Sequence, residues 1–412
     1  MECAISAARI LTRCDALAAC SELPGGLTRV FLSPEQRRAS DLVLGWMHEA
    51  GMQAQLDAIG NVVGRYEAAT PGAPCLMLGS HLDTVRDAGR YDGMLGVVSA
   101  IECVRALSTA QYRLPFAIEV AGFADEEGVR FGATLLGSRA LAGTFDAAVL
   151  NATDAKGVTL TGALRAFGLD PARINEAAKQ PNDVLAYVEL HIEQGPVLEA
   201  EELPVGVVTA INGATRYTVE IDGAAGHAGT VPMALRHDAL AAAAECVLAI
   251  EQRCAREPEL VGTVGKLEAL PGAVNVIPGK ARFTMDIRAP QDAPRVTAVQ
   301  DVINAMLAIC ERRGVTLHTK KIHEGAVAAC APWLMEQIGA AVAAQNIPVR
   351  QLPSGAGHDG MAMIALCDIG MLFVRCKGGI SHNPAESVTL ADVEIGAQVL
   401  LRFIQNFQPF NQ

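Results

Sequence analysis

Residues 73–93 read APCLMLGSHLDTVRDAGRYDG. An unbroken apolar run, Cys75–Leu78, passes directly into a loop that holds His81, Asp83, Asp87 and Asp92 among glycines. An apolar run without alternation describes a strand buried on both faces, as in a parallel sheet. In such sheets ligands collect beyond the carboxyl ends of the strands. The polar loop therefore sits where chemistry is expected.

The same pattern recurs twice. PFAIEVAGFADEEG (115–128) is an apolar run that ends in acids, and VLAYVELHIEQG (184–195) is another that ends in His191, Glu193 and Gln194. Between the first two runs, GMLGVVSAIECVRALSTA (93–110) carries the apolar spacing of a helix. Upstream, Pro34 opens a helical stretch reaching to about Gly51. MQAQLDAIGNVVGRYEA (52–68) then alternates like a hairpin turning at Gly60. Strands alternating with helices predict an α/β fold with a mostly parallel sheet.

From about Asn212 the texture changes. TRYTVEIDGAAGHAG alternates with period two, as an antiparallel, half-exposed strand does. A helix (237–255), the alternating stretches GTVGKLEAL and KARFTMDIRA, a second helix (293–314) and TLHTKKIHE follow. This order predicts a separate small α+β domain, residues 212–326, inserted into a first domain made of 1–211 and 327–412. A length of 412 residues also favours two domains over one core.

Composition narrows the function. There are 33 Lys and Arg against 45 Asp and Glu, a net charge of −12. Such a chain repels polyanions, so neither nucleic acid nor a membrane surface is an expected partner. The 11 cysteines show no metal-knuckle or CxxC spacing. They are expected to be reduced thiols of a cytoplasmic protein. The N-terminal segment lacks the pattern of a signal peptide, and no apolar run is long enough to span a membrane.

Five candidate metal ligands stand in five motifs: His81, Asp92, Glu127, His191 and His382 (ISHNPAE). A lone histidine in such a place is usually structural. Here three of the motifs follow strand-like runs and Asp92 lies in the loop leading from the first, so the loops should converge on one rim of the sheet. Imidazoles and carboxylates in this number suit two divalent ions, with one carboxylate between them as a bridge. Glu126, beside Glu127, is then free to accept a proton from water. The alternative for this acidic pair is a solvated loop. Asp83 is placed to orient His81 through its second ring nitrogen.

These motifs, together with GHAGTVPM (226–233), resemble the M20 metallopeptidase superfamily. Within it they look most like the hydantoinase/carbamoylase amidase branch, which includes N-carbamoyl-L-amino-acid hydrolases, β-ureidopropionases and allantoate amidohydrolases. The resemblance covers nearly the whole chain in the family's order. It implies a catalytic domain with two divalent ions, zinc or else manganese, cobalt or nickel, and an inserted domain that serves as lid and dimerisation surface of a homodimer. It implies that His81, Asp92 and His191 hold one ion, that Asp92, Glu127 and His382 hold the other, and that Glu126 is the general base. His191 separates this branch from the peptidases, which carry a carboxylate there.

By the same resemblance His227 polarises the scissile carbonyl from the partner subunit. Gln194, Asn275, Arg288, Arg216 and Gly357 bind a ureido-acid substrate, with His358 close by in the SGAGHDG loop. Arg288 has the forked geometry that a carboxylate needs. Without the resemblance, a turn histidine at 227 and a strand-end surface arginine at 288 are the ordinary explanations. No role is assigned to Asp87. The implied activity is hydrolysis of an N-carbamoyl group to carbon dioxide and ammonia. The rivals are a dipeptidase or aminoacylase of the same superfamily, and a metal-free binding protein on the same fold.

Overall fold

The apolar run 75–81 is a fully buried strand in the computed structural model, which describes residues 4–410. In chain order the strands before the change of texture are β1 (Gln53–Leu56), β2 (Val62–Tyr66), β3 (Cys75–His81), β4 (Ala117–Phe123), β5 (Val184–Ile192) and β6 (Val205–Ile211). Then come β7 (Gly213–Asp222), β8 (Gly226–His227), β9 (Val261–Thr263), β10 (Leu267–Leu270), β11 (Val276–Ile277), β12 (Lys280–Ala289) and β13 (Thr316–Gly325). β14 (Ala328–Ala329), β15 (Gln351–Ser354) and β16 (Ile369–Val374) complete the series. The chain divides into two units, one reaching Thr209 and resuming at Ala329, the other Ala210–Ala328.

The first unit is built on a sheet of order β1-β2-β4-β3-β5-β16-β6-β14, with β15 beside β6. It is mixed rather than mostly parallel, which corrects the expectation from sequence. β4, β3, β5 and β16 are mutually parallel. β1, β2 and β6 pair antiparallel on the flanks. The turn of residues 57–61 is too short for a crossover, so β1 and β2 must be antiparallel.

Alternate residues of the parallel strands face opposite ways. Leu76, Leu78, Ile118, Val120, Val188, Leu190, Leu372 and Val374 share one core with the helices Met94–Thr109 and Leu390–Asn406. Glu119, Tyr187, Glu189 and His191 take the alternate positions. The Met94–Thr109 helix lies so close to the sheet that a Cβ on Gly96 would come within 2.2 Å of the Leu190 carbonyl oxygen. The helix Pro34–Glu49 starts where the sequence signals it: Ser33 accepts from the Gln36 N–H, and proline occupies the first turn.

The second unit has an antiparallel sheet, β10-β12-β7-β13, with β9 also on β12. Ala242, Cys246 and Ile250 of one helix and Val302 and Met306 of another pack with Val219, Ile221, Phe283, Met285 and Ile287 of the sheet. GTVGKLEAL, read as one strand, divides into β9 and β10 on the same partner. Among the described residues no helix is long and apolar enough to cross a membrane.

Because Gly96 sets the distance between helix and sheet, Gly96→Ala should destabilise the first unit by roughly 1–3 kcal/mol, the usual cost of overpacking a filled core. Urea unfolding followed by circular dichroism measures it. An unchanged midpoint would mean that the helix gives way freely.

Candidate dinuclear metal site

The parallel pairing explains why distant motifs meet. His81 is the last residue of β3 and lies opposite Phe123, the last of β4. His191, near the end of β5, lies opposite Phe373 near the end of β16. The loops carrying Asp92, Glu126, Glu127 and His382 leave from these same strand ends, on one rim of the sheet.

Asp92 is the centre of the cluster. Its Oδ1 is 3.2 Å from His81 Nε2 and 3.2 Å from His191 Nε2. Its Oδ2 is 3.4 Å from His382 Nε2, and Glu127 Oε1 lies 3.6 Å from that same nitrogen. The far nitrogens of the two buried rings face carbonyl oxygens: His81 Nδ1 is 3.0 Å from that of Asp83, and His191 Nδ1 is 2.9 Å from that of Ile192. Carbonyls only accept, so Nδ1 carries the proton in each ring. In the neutral imidazole Nε2 is then an acceptor: that of His81 faces a carboxylate oxygen 3.2 Å away, and that of His191 accepts from the Gly93 N–H at 3.1 Å while lying 3.2 Å from the same oxygen. Acceptors this close to a carboxylate favour positive charge between them, either a second proton on the ring or a cation.

The electrostatics point the same way. Burial alone would depress the pKa of His81, yet Asp92, Glu126 and Asp83 raise it well above its usual value. Burial likewise opposes protonation of His191, and its bond to Asp92 overcomes this. For His382 that same bond is the main cause of a raised pKa. Burial would raise Asp92, but the three imidazoles hold it well below the carboxylate range. The other acids go up. Burial lifts Glu126 well above its usual range against the pull of His81, with Glu127, Asp359 and Asp83 adding to the rise. Burial also pushes Glu127 up to about 7. A buried site crowded with acids is stabilised by bound cations.

The donor chemistry fits divalent ions. His81, Asp92 and His191 form one group of convergent ligand atoms, and Asp92, Glu127 and His382 form another, sharing Asp92. Nitrogen and oxygen donors of this kind serve zinc and its neighbours.

The supporting shell differs from expectation in two places. Asp83 meets His81 chiefly through its backbone carbonyl, and its carboxylate Oδ1 stays 3.7 Å from the ring. The carboxylate instead accepts from the Glu126 N–H at 2.9 Å and the Glu127 N–H at 3.1 Å. The cause is the β3–β4 register, which sets the loop after His81 beside the loop after Phe123. Gln194 Nε2 donates to Asp92 Oδ2 at 2.7 Å and to Ser381 Oγ at 3.1 Å, and Ser381 Oγ donates to the same Oδ2 at 2.7 Å. Ser381 stands directly before His382, which was the only sequence signal for it.

Two backbone positions fix the shape. Gly93 has φ +73, and a Cβ there would lie 2.5 Å from the His81 ring. His382 itself has φ +55, uncommon for a residue with a side chain and frequent at functional sites. Asp87 also has a positive φ, and its N–H donates to Thr28 Oγ1, so it serves the turn.

His358 is buried, with Nε2 2.7 Å from Ser354 Oγ and its ring edge-on to that of His191, centroids 4.5 Å apart. Burial and then His191 hold it well below its usual pKa, as a neutral support. A Cβ on Gly357 would come 3.6 Å from Glu126 Oε1, so this loop borders the acid.

In the second unit, β8 and β11 form a ribbon that sets His227 opposite Val276, and the Ala228 N–H donates to the Asn275 carbonyl. His227 and Asn275 are thereby neighbours. Arg216 and Arg288 also come together, because both bind Asp286, at 3.0 Å and 2.8 Å. Burial would raise Asp286, but the two guanidinium groups hold it below its usual value. Asp286 was not foreseen; its partner Arg216 is its cross-strand neighbour.

A model of peptidase family M20/M25/M40 matches residues 77–406. An N-carbamoyl-L-amino acid amidohydrolase of Geobacillus stearothermophilus is 43% identical over 91% of this chain and 92% of its own. Allantoate deiminase 1 of Glycine max is 40% identical over 94% of this chain and 86% of its own. The crystal structure of an amidase of the hydantoinase/carbamoylase family from Burkholderia multivorans superposes with a TM-score of 0.92 at 32% identity, covering 97% of each chain. The chain belongs to peptidase family M20/M25/M40, in its hydantoinase/carbamoylase amidase branch, and is a hydrolase.

Asp83→Ala should leave the protein folded and lower its affinity for divalent metal by about 10–100-fold, the usual effect of losing an outer support. Competition with a chromogenic chelator measures it. Unchanged affinity would reduce the Asp83 carboxylate to a loop contact.

Proposed function

We propose that this hydrolase is a metal-dependent amidohydrolase cleaving the ureido C–N bond of an N-carbamoyl-L-amino acid or a related ureido acid such as allantoate. One observation carries the reading: a single carboxylate, Asp92, divides its two oxygens among three imidazole nitrogens beside the acids Glu126 and Glu127. His81, Asp92 and His191 would hold one divalent ion and Asp92, Glu127 and His382 the second, zinc being expected and manganese, cobalt or nickel compatible with the same donors. Ions bound there supply positive charge that acidifies water and polarises a carbonyl oxygen.

Glu126 takes a proton from the attacking water. The water oxygen bonds to the carbamoyl carbon while the carbonyl π electrons move onto oxygen, where His227 of the partner subunit in a homodimer donates a hydrogen bond. The C–N bond to the amino acid then breaks as Glu126 passes its proton to the leaving nitrogen. The carbamate released decomposes to carbon dioxide and ammonia. Arg288, Arg216, Asn275 and Gly357 hold the substrate. Gln194 joins them through Oε1, a buried acceptor without a partner among the described residues and suited to a ureido N–H. In this reading residues 212–326 form the lid and dimerisation domain, and the remaining residues form the catalytic domain. The ten described cysteines are free thiols, in keeping with a cytoplasmic setting.

Ammonia release from a panel of N-carbamoyl-L-amino acids, N-carbamoyl-β-alanine and allantoate, after chelation and return of single metals, tests the reading. Activity should vanish with the chelator and return with metal. A metal-independent rate, or no rate on any ureido acid, would sink it. Glu126→Gln should lower kcat by about 10²–10⁴-fold. Two ions per subunit should remain by ICP-MS, and an active Gln variant would remove Glu126 from its role. Arg288→Ala should raise KM more than it lowers kcat.

A further inference from the structure

The ISHNPAE motif contains one acid, Glu386, four residues after His382. Glu386 is buried, and its Oε1 accepts from the Tyr91 N–H at 2.7 Å and from the Asp92 N–H at 3.2 Å. These bonds join residues almost three hundred positions apart. They connect the loop after β16, which carries His382, to the loop after β3, which carries Asp92.

The Asp92 backbone needs such a tie. Asp92 precedes the Met94–Thr109 helix, whose N-cap is Gly93 and which has no side-chain cap. Gly89 and Gly93 flank the segment, and neither has a side chain to anchor it. Its N–H groups lie outside the sheet pairing and require acceptors, and a carboxylate is a strong one.

Gly89 gives an independent sign that the fit is specific. A Cβ there would lie 2.2 Å from Glu386 Cδ and 2.4 Å from Glu386 Cβ. The side chain of Glu386 thus occupies the space that any other residue at position 89 would fill. Position 89 and position 386 form one lock, closed across the loops that bear Asp92 and His382.

We propose that Glu386 is a positioning residue for the dinuclear site. It fixes the backbone of Asp92 relative to His382, so that Oδ2 of Asp92 and Nε2 of His382, 3.4 Å apart, would serve one ion together. Gly89 is the cradle that lets it do so. The proposal rests on reading the Asp92 cluster as a metal site, and metal uptake by the unaltered protein checks that reading separately.

The test uses the full chain stripped of metal and titrated with Co²⁺, read by its visible absorption and by ICP-MS. The unaltered protein should take two ions. Glu386→Ala should retain the fold by circular dichroism and bind the second ion at least 10-fold more weakly, with an altered spectrum. Glu386→Gln, which keeps Oε1 as an acceptor, should restore affinity to within about threefold of the unaltered protein, as expected if a hydrogen bond and not bulk is what matters.

Gly89→Ala should mimic Glu386→Ala by displacing the carboxylate. If Glu386→Ala fails to fold, the Gly89→Ala and Glu386→Gln titrations decide on the same criteria. Unchanged second-ion affinity in Glu386→Ala, or loss in Glu386→Gln equal to that in Ala, would each overturn the proposal. An unaltered protein that takes up no ion would overturn both this and the metal-site reading.

Discussion

Three imidazole nitrogens converge on the carboxylate of Asp92, and the arrangement of the first unit follows from keeping them there. A carboxylate facing lone pairs is repulsive unless positive charge intervenes. The surrounding acids intensify the demand, since burial and mutual repulsion drive Glu126 and Glu127 toward protonation. A centre of this kind holds its shape only if the backbone prevents the groups from swinging out to water. The two inner rings are held by carbonyl oxygens, and the third, His382, stands on a left-handed backbone position.

The sheet brings the groups near one another, but it does not finish the site. Parallel strands end together, yet the loops beyond them have no ladder to hold them. Side chains take over that task. Asp83 grips the N–H groups of Glu126 and Glu127, Glu386 grips those of Tyr91 and Asp92, and Ser381 and Gln194 meet on Asp92 itself. Each loop is held by a residue of another, so the loops stabilise one another as a set. In the second unit the same economy appears on a smaller scale, where Asp286 holds two arginines together.

Much of this was legible in the sequence because it was written in residue type. Short apolar runs without alternation suit doubly buried strands, and the acids and histidines at their ends had no structural excuse in common. β3, β4 and β5 and the change to antiparallel texture after residue 212 were all visible on those grounds. What stayed hidden depends on pairing. The partner of the Asp83 carboxylate is a backbone N–H chosen by the β3–β4 register, and Arg216 finds Asp286 through the β7–β12 register. Neither leaves a mark within its own segment. Of the antiparallel flanks, β1 and β2 were visible as the hairpin turning at Gly60, whereas β6 was concealed, since a buried flanking strand reads much as a central one does. The segment 129–183 carries short helices such as Leu136–Leu141 and Leu160–Phe167, too brief to set up a period.

The four parallel strands give the first unit two unequal rims. At the carboxyl rim every loop is tied to another, so a length change in one would disturb all. At the amino rim, the segments leading into β3, β4, β5 and β16 hold none of the ligands. Lengthening a loop there costs little more than its added closure entropy, well under 1 kcal/mol for a doubling. The fold therefore has a built-in direction of evolvability. New surface, new appendages or a fused module can accumulate at the amino rim while the chemistry at the other stays fixed.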